Sequence, residues 1–278
     1  MVCRGEKMNA LGLIGERLGH SLSPQIHKKV FEKLNLNASF SLYEIKPENI
    51  GMAVQALKVL GIKGVNVTIP YKEILMEQLD VISEEAKGIG AINTIKIEQD
   101  KTIGYNTDYF GFGELLIRNE VQVEGRTFAV LGTGGASKAV VQYIKDKKAG
   151  KIYIVSRDKE AALTKYPEYS CLSYSELEQL EDIEVIINTT PVGMYPKVGF
   201  SPIGDTVIQK CNTVVDIVYN PLETELLKRA KSLGKKTVDG LYMLIAQGIK
   251  AEEIWLEREL SYDIGEELYE ELSKLINK

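Results

Sequence analysis

The chain is 278 residues long, with 34 basic and 39 acidic side chains and a formal charge of −5. This length exceeds that of a usual single domain, so about two domains with real cores are expected, and the acidic balance argues against a nucleic-acid binder, which ordinarily carries a basic face. Three cysteines (Cys3, Cys171, Cys211) and two histidines (His20, His27) form neither a CxxC pair nor a metal-ligand spacing, which predicts no metal site and points to a reducing cytoplasm.

At the N-terminus, MVCRGEKMNALGLIG has no continuous apolar stretch of the kind a signal peptide needs. No apolar run reaches the roughly 18 residues of a bilayer span, so a membrane is not an expected partner, as the charge balance already makes a nucleic acid an unexpected one. Met8 is a candidate start, with residues 1–7 as a tail. ALGLIG (10–15) reads as a strand and SPQIHKKVFEKL (23–34) as a helix whose Ile26, Val30 and Leu34 share a face. SFSLYEI (39–45) is a strand, residues 47–60 a helix, and GVNVTIP a strand in which Val65, Val67 and Ile69 alternate with Asn66 and Thr68. PYKEILMEQL then reads as a helix begun by Pro70, and AINTIKI with KTIGYNTD as a hairpin. This alternation of strand and helix implies a mostly parallel sheet covered by helices.

A second unit starts near residue 125. TFAVLGTGGASKAVVQYIKD reads as strand, glycine turn and helix, followed by strands in KIYIVSR, EVIINTTP and TVVDIV and a helical tail from Gly240. The expected fold is α/β in two domains separated by a cleft. Residues 8–108 with 240–278 form an N-terminal α/β domain with a mostly parallel sheet, and residues 109–239 form a Rossmann-type dinucleotide-binding domain.

VLGTGGASKA places Gly132, Gly134 and Gly135 at a strand-to-helix turn, with Ser137 where the fingerprint has its third glycine or alanine. Glycines let the backbone approach a pyrophosphate that the helix N-terminus favours, and no P-loop pattern is present, so a dinucleotide is the expected ligand. After the next strand come Ser156, Arg157, Asp158 and Lys159. A basic residue there suits the 2′-phosphate of NADP and an acid suits the ribose hydroxyl of NAD; Arg157 stands first, which favours NADP with NAD still possible. The alternative is a solvated charge cluster on a turn.

In the first domain, strand alternation puts Asn66 and Thr68 on one polar face, facing either a cleft or, on an edge strand, water. HSLSPQIH offers Ser23 as a helix N-cap with Pro24 at the first helical position; Ser21, two residues earlier, is not explained by capping and could join Ser23 in holding an anion. Lys72 falls in the first turn of the helix begun by Pro70, where the macrodipole disfavours a cation, so it is either a surface lysine or a residue kept for chemistry. Asp108 in NTDYFGFGELL is either an N-cap or the partner of Lys72. His27, one turn past Ser23, reads as a surface or packing residue. That leaves a lysine with an aspartate partner as the candidate proton-transfer pair for a nicotinamide enzyme acting on a carbinol or ketone.

HSLSP, NVTIPYK, GAINT, YNTDYFGF, GTGGASKA, INTTPVGM, VYNPLETELLKRA and DGLYMLIAQG stand together and in order. Over nearly its whole length after the N-terminal tail, the chain resembles the shikimate dehydrogenase family. The resemblance implies NADPH-dependent reduction of 3-dehydroshikimate to shikimate, a step towards chorismate and the aromatic amino acids; a monomer or homodimer is the expected assembly. It implies that Lys72 is the acid/base, paired with Asp108. Ser21, Ser23, Thr68 and Tyr219 would hold the substrate carboxylate, and Asn66, Asn93 and Gln247 the ring hydroxyls. On the cofactor side it implies a pyrophosphate loop of Gly132, Thr133, Gly134, Gly135 and Ala136, a 2′-phosphate contact at Arg157, and walls at Thr190, Ile217, Gly240 and Met243. The family's usual asparagine-arginine-threonine run is Ser156, Arg157, Asp158 here, which keeps open a quinate/shikimate dehydrogenase able to use NAD. A non-catalytic NADP-binding regulator is the rival from another class, against which the joint presence of Lys72 and Asp108 speaks.

Overall fold

In this computed structural model the structure describes residues 9–19, 21–99, 101–261 and 263–276. Cys3, the candidate start Met8 and His20 lie outside the described residues. Contacts divide the chain into two units, Met1–Phe110 with Ile245–Leu268, and Gly111–Leu244 with Tyr269–Lys278.

The first unit begins with β1 (Asn9–Gly15), α1 (Ser23–Leu34), β2 (Ala38–Glu44), α2 (Ala53–Val59) and β3 (Gly64–Val67). It continues through β4 (Val81–Ile82), α3 (Glu84–Ile89), β5 (Thr94–Glu98) and β6 (Lys101–Tyr105) into α4 (Thr107–Arg118). Its sheet runs β2-β1-β3-β5-β6-β4. β1 pairs in parallel with β2 and β3, while β5 pairs antiparallel with both β3 and β6, so the expected hairpin is present with Glu98 opposite Lys101. β3 is therefore an interior strand, and all four of its residues are buried, Asn66 included. Residues 47–60 wind first as a 3-10 helix, Pro47–Met52, and then as α2.

One expected element is absent. Residues 69–73 form turns, and only Ile74–Gln78 winds, as a 3-10 helix. The cause is Tyr71, which is 1% exposed and donates its hydroxyl to the Ile45 carbonyl, so anchoring this ring in the core carries the backbone off the helical path. The Ile69–Pro70 peptide is cis. Ile69, expected on the apolar face of the strand, lies past the end of β3 and is 71% exposed.

The second unit contains β7 (Thr127–Leu131), α5 (Gly135–Asp146), β8 (Lys151–Val155), α6 (Lys159–Lys165), β9 (Ser170–Leu172) and α7 (Tyr174–Leu177). β10 (Val185–Asn188), α8 (Asp205–Ile208), β11 (Thr213–Asp216), α9 (Glu225–Ser232) and β12 (Lys236–Val238) follow; α10 (Leu241–Leu256) belongs to the first unit from Ile245 onward, as does α11 (Asp263–Ile276) up to Leu268. The second unit's sheet is parallel throughout, in the order β12-β11-β10-β7-β8-β9. The apolar runs FAVL, VII and VV are buried because both faces of such a sheet are covered. This is the doubly wound order, and its direction reverses between β7 and β10, where ligands of such sheets bind outside the strand ends.

A close approach fixes α10 against the first sheet. A side-chain carbon at Gly64 would stand 2.2 Å from the Trp255 indole nitrogen, which donates to the Ile95 carbonyl at 3.0 Å. Gly64→Ala is expected to displace the indole and cost about 1–3 kcal/mol, the range for overpacking a core, read as a lower midpoint in denaturant.

Candidate functional site

Lys72 and Asp108 meet. Lys72 Nζ donates to Asp108 Oδ2 at 2.6 Å, with the two side chains 17% and 14% exposed. Lys72 sits in the turn after β3, so the helix-dipole argument drawn from the sequence does not apply to it. Its main chain is fixed where its carbonyl accepts the Ile92 N–H at 3.0 Å. Asp108 is not an N-cap either: Thr107 and Asp108 open α4, and the first turn of a helix favours a carboxylate.

Asn93 joins the two. Its Oδ1 accepts the Thr107 N–H at 2.6 Å and its Nδ2 donates to Asp108 Oδ1 at 2.9 Å. Asn66 Nδ2 donates to Thr94 Oγ1 at 3.0 Å, and the Thr94 hydroxyl lies 3.1 Å from Asn93 Oδ1. Thr107 Oγ1 reaches Gln247 Oε1 at 3.3 Å. Four of the residues singled out in the sequence, Asn66, Asn93, Asp108 and Gln247, thus belong to one buried network with Lys72 at its end. Thr94 and Thr107 were missed, although each follows an asparagine in a repeated Asn-Thr pair, the one signal that marks them.

Ser23 does not cap α1. Leu22 is the N-cap of α1 and Ser23 is its first residue; Ser21 Oγ accepts the Ser23 N–H at 3.2 Å, so the turn is held by the serine that capping had not explained. Thr68 follows β3, its N–H on the Ile14 carbonyl. His27 is no surface residue: it is fully buried, with Nδ1 2.5 Å from Glu252 Oε1 and Nε2 3.0 Å from Asn66 Oδ1. Tyr219 belongs to the second unit, after β11, where burial raises its phenol pKa.

In the second unit, a cleft of about 700 Å³ opens at the strand reversal, lined by Gly132, Thr133 and Gly134, by Ser156 and Arg157, and by the 189–193 and 200–202 segments. Gly132 has φ +100, and a side-chain carbon there would stand 2.8 Å from Thr190, so only glycine fits. Side-chain carbons at Gly134 and Gly135 would meet no atom within 4 Å, which leaves the N-terminus of α5 open to a ligand. Ser137, where the fingerprint has a small residue, donates to the Gly132 carbonyl at 2.9 Å, and Lys165 donates to the Thr133 carbonyl at 2.6 Å. Ile217 and Gly240 are in contact, a side-chain carbon on Gly240 falling 2.1 Å from the Ile217 carbonyl oxygen. Met243 is buried on α10. Ala136 lies in the first turn of α5.

The charged turn after β8 sorts itself. Asp158 is the N-cap of α6, its Oδ1 accepting the Ala161 N–H at 3.0 Å. Lys159 is turned to Glu176 at 2.6 Å, and that hydrogen bond, with those from Ser173, holds the Glu176 carboxyl down to about 2. Arg157 is left in the cleft beside Ser156. An open helix N-terminus, a guanidinium and an acid engaged elsewhere together fit a dinucleotide carrying a 2′-phosphate.

Residues 13–95 match the family model described as the shikimate dehydrogenase substrate binding domain. The chain is 52% identical over 267 residues to a shikimate dehydrogenase (NADP(+)) of Clostridium perfringens, covering 95% of this chain and 98% of that one. Among solved structures it is similar to a chorismate mutase/shikimate 5-dehydrogenase fusion protein from Clostridium acetobutylicum, with TM-score 0.96, 44% identity and coverage of 98% and 100%. It is also similar to the shikimate 5-dehydrogenase of Thermus thermophilus in complex with NADP(H) and shikimate, with TM-score 0.85, 31% identity and coverage of 94% and 98%.

A further acid underlies the cofactor cleft. Asp216, at the end of β11, is fully buried and accepts from Thr224 Oγ1 at 2.7 Å, Asn188 Nδ2 at 2.9 Å and the Val218 N–H at 3.1 Å. Burial outweighs these bonds and pushes its carboxyl from the usual 3.8 up to about 6. A raised carboxylate pKa means that the folded state holds the proton more tightly, so this group's contribution to stability is complete below about pH 4 and is lost as pH rises through about 6. Thermal melts of wild type and Asp216→Asn from acid to neutral pH should therefore diverge in the variant's favour across that window and run parallel above it.

Proposed function

The chain belongs to the shikimate dehydrogenase family, and on that premise we propose that it reduces 3-dehydroshikimate to shikimate reversibly with NADPH, as a cytoplasmic enzyme of aromatic amino acid biosynthesis. The observation that carries this reading is the Lys72–Asp108 pair at 2.6 Å, tied through Asn93 to a polar network in the unit that contains the substrate-domain match.

NADPH, when bound, supplies the hydride. Gly132 to Ala136 at the start of α5 would receive its pyrophosphate, Arg157 with Ser156 its 2′-phosphate, and Thr190, Ile217, Gly240 and Met243 would wall it. The Lys72 ammonium spends one N–H on Asp108 and keeps the others for the carbonyl oxygen of the substrate. As negative charge develops on that oxygen, Lys72 gives up a proton to it and Asp108 holds the amine in place. Both side chains are more than four-fifths shielded from solvent, so these charges act with less screening than at a wet surface. Within the first unit, Ser21, Ser23 and Thr68 take the substrate carboxylate, and Asn66, Asn93 and Gln247 the ring hydroxyls. The commitment of Asp158 Oδ1 to capping α6 supports NADP over NAD.

A spectrophotometric assay with shikimate, run with NADP and NAD in parallel, tests the reading directly; NADP reduction dependent on shikimate is expected, and none with either cofactor would overturn it. Lys72→Ala should lower kcat about 100- to 10,000-fold with a modest change in KM for shikimate, because the interaction lost is one made in the transition state. Arg157→Ala should raise KM for NADP about 10- to 100-fold and leave the much weaker use of NAD nearly as it was, since only the charge-assisted phosphate contact is removed.

A further inference from the structure

The mechanism makes no use of the most deeply buried ionisable pair in the first unit. His27 on α1 and Glu252 on α10 are both fully buried, and the surroundings are aromatic: Phe40 stacks on the imidazole at 4.0 Å between centroids, and Trp255 lies at 5.5 Å. Glu252 Oε2 is buried and has no hydrogen-bond partner among the described residues. A buried pair that leaves one oxygen unsatisfied is poor evidence for stability, and apolar residues of similar size often serve a core as well or better. The polar atoms therefore call for another role.

Their directions supply it. Asn66 Nδ2 faces Thr94 Oγ1 at 3.0 Å and the Asn93 carbonyl at 3.5 Å. A carbonyl can only accept, so the amide end of Asn66 is on that side and Oδ1 is the end presented to His27 Nε2 at 3.0 Å. Nε2 must then carry a hydrogen. On the other side of the ring one proton is shared between Nδ1 and Glu252 Oε1 at 2.5 Å, and wherever that proton sits, Nε2–H is still the donor to Asn66. The sequence of bonds continues from Asn66 through Thr94 and Asn93 to Asp108.

We propose that His27 and Glu252 form a positioning pair for the substrate site: Glu252 sets the imidazole so that Nε2–H fixes which end of the Asn66 carboxamide is presented to the bound ring. This rests on the reading of Asn66 as a substrate contact. Neither His27 nor Glu252 touches substrate in it; both act through Asn66.

The test compares two double variants of the full chain with wild type. In His27→Gln/Glu252→Leu, glutamine can supply an N–H where Nε2 stood; in His27→Met/Glu252→Leu, methionine fills similar space and supplies none. Neither leaves a buried carboxylate. The methionine variant should raise KM for shikimate about 5- to 10-fold, the value of one lost hydrogen bond, with KM for NADP unchanged. The glutamine variant should recover most of that loss at a similar melting temperature. Equal KM for shikimate in the two variants overturns the proposal, since a purely structural role would not tell them apart. Asn66→Ala is measured alongside: an unchanged KM there defeats the substrate reading of Asn66, whereas a raised KM with no difference between the double variants defeats only the role of His27. Should neither double variant fold, the nitrogen-15 spectrum of histidine-labelled wild type decides. With two histidines in the chain, a protonated His27 Nε2 near neutral pH is the expected result, and a bare Nε2 overturns the proposal.

Discussion

The carboxamide of Asn93 holds the first unit's chemistry together. Its two ends are distinguishable, because Thr107 N–H can only donate and a carboxylate accepts. The same residue's backbone takes the Val67 N–H at 2.7 Å and gives its own N–H to Tyr105 at 2.9 Å. One residue thus ties the end of β3, the end of β6 and the start of α4, and it leaves Asp108 with one oxygen for Lys72. Lys72 Nζ is thereby placed to within the slack of a few short bonds, as the proposed proton transfer to a defined oxygen would require.

On the proposed reading the second unit has a different task, that of presenting amides to an anion. Carbonyls near the glycine loop would repel a phosphate, and several are engaged from the protein side: Gly132 by Ser137, Thr133 by Lys165, and Leu131 by the Thr189 hydroxyl at 2.7 Å. The N–H groups of the first turn of α5 remain directed outward beside glycines that have open space around them. Asn188 and Asp216 brace the floor from below, since Thr190 bonds to Asn188 Oδ1 through both its N–H and its hydroxyl.

Much of this was legible in the sequence, where local rules act without long-range help. The span of α1, the glycine turn and the hairpin β5–β6 follow from periodicity and turn chemistry. What failed did so where a distant contact overrode a local preference. Pro70 promised a helix, but Tyr71 is buried beneath Ile45 and the chain turns instead. Ser23 looked like a cap, yet the cap position falls on Leu22, and Ser23 is instead held through its N–H by the Ser21 hydroxyl. His27 and Glu252 are 225 positions apart, and no spacing rule links them; their partnership exists only once α1 and α10 are packed beside β3.

Asp158 has a consequence for attempts to redirect the enzyme. An acid in the turn after β8 would ordinarily be read as a recruit for the ribose hydroxyls of NAD, but here the carboxylate is the piece that starts α6. Freeing it for a ribose would uncover the first turn of a seven-residue helix, which has few other bonds to spare. On the proposed reading of this turn, cofactor choice and local order are coupled at one side chain. An engineer who wants the other nicotinamide would first have to give α6 a new beginning.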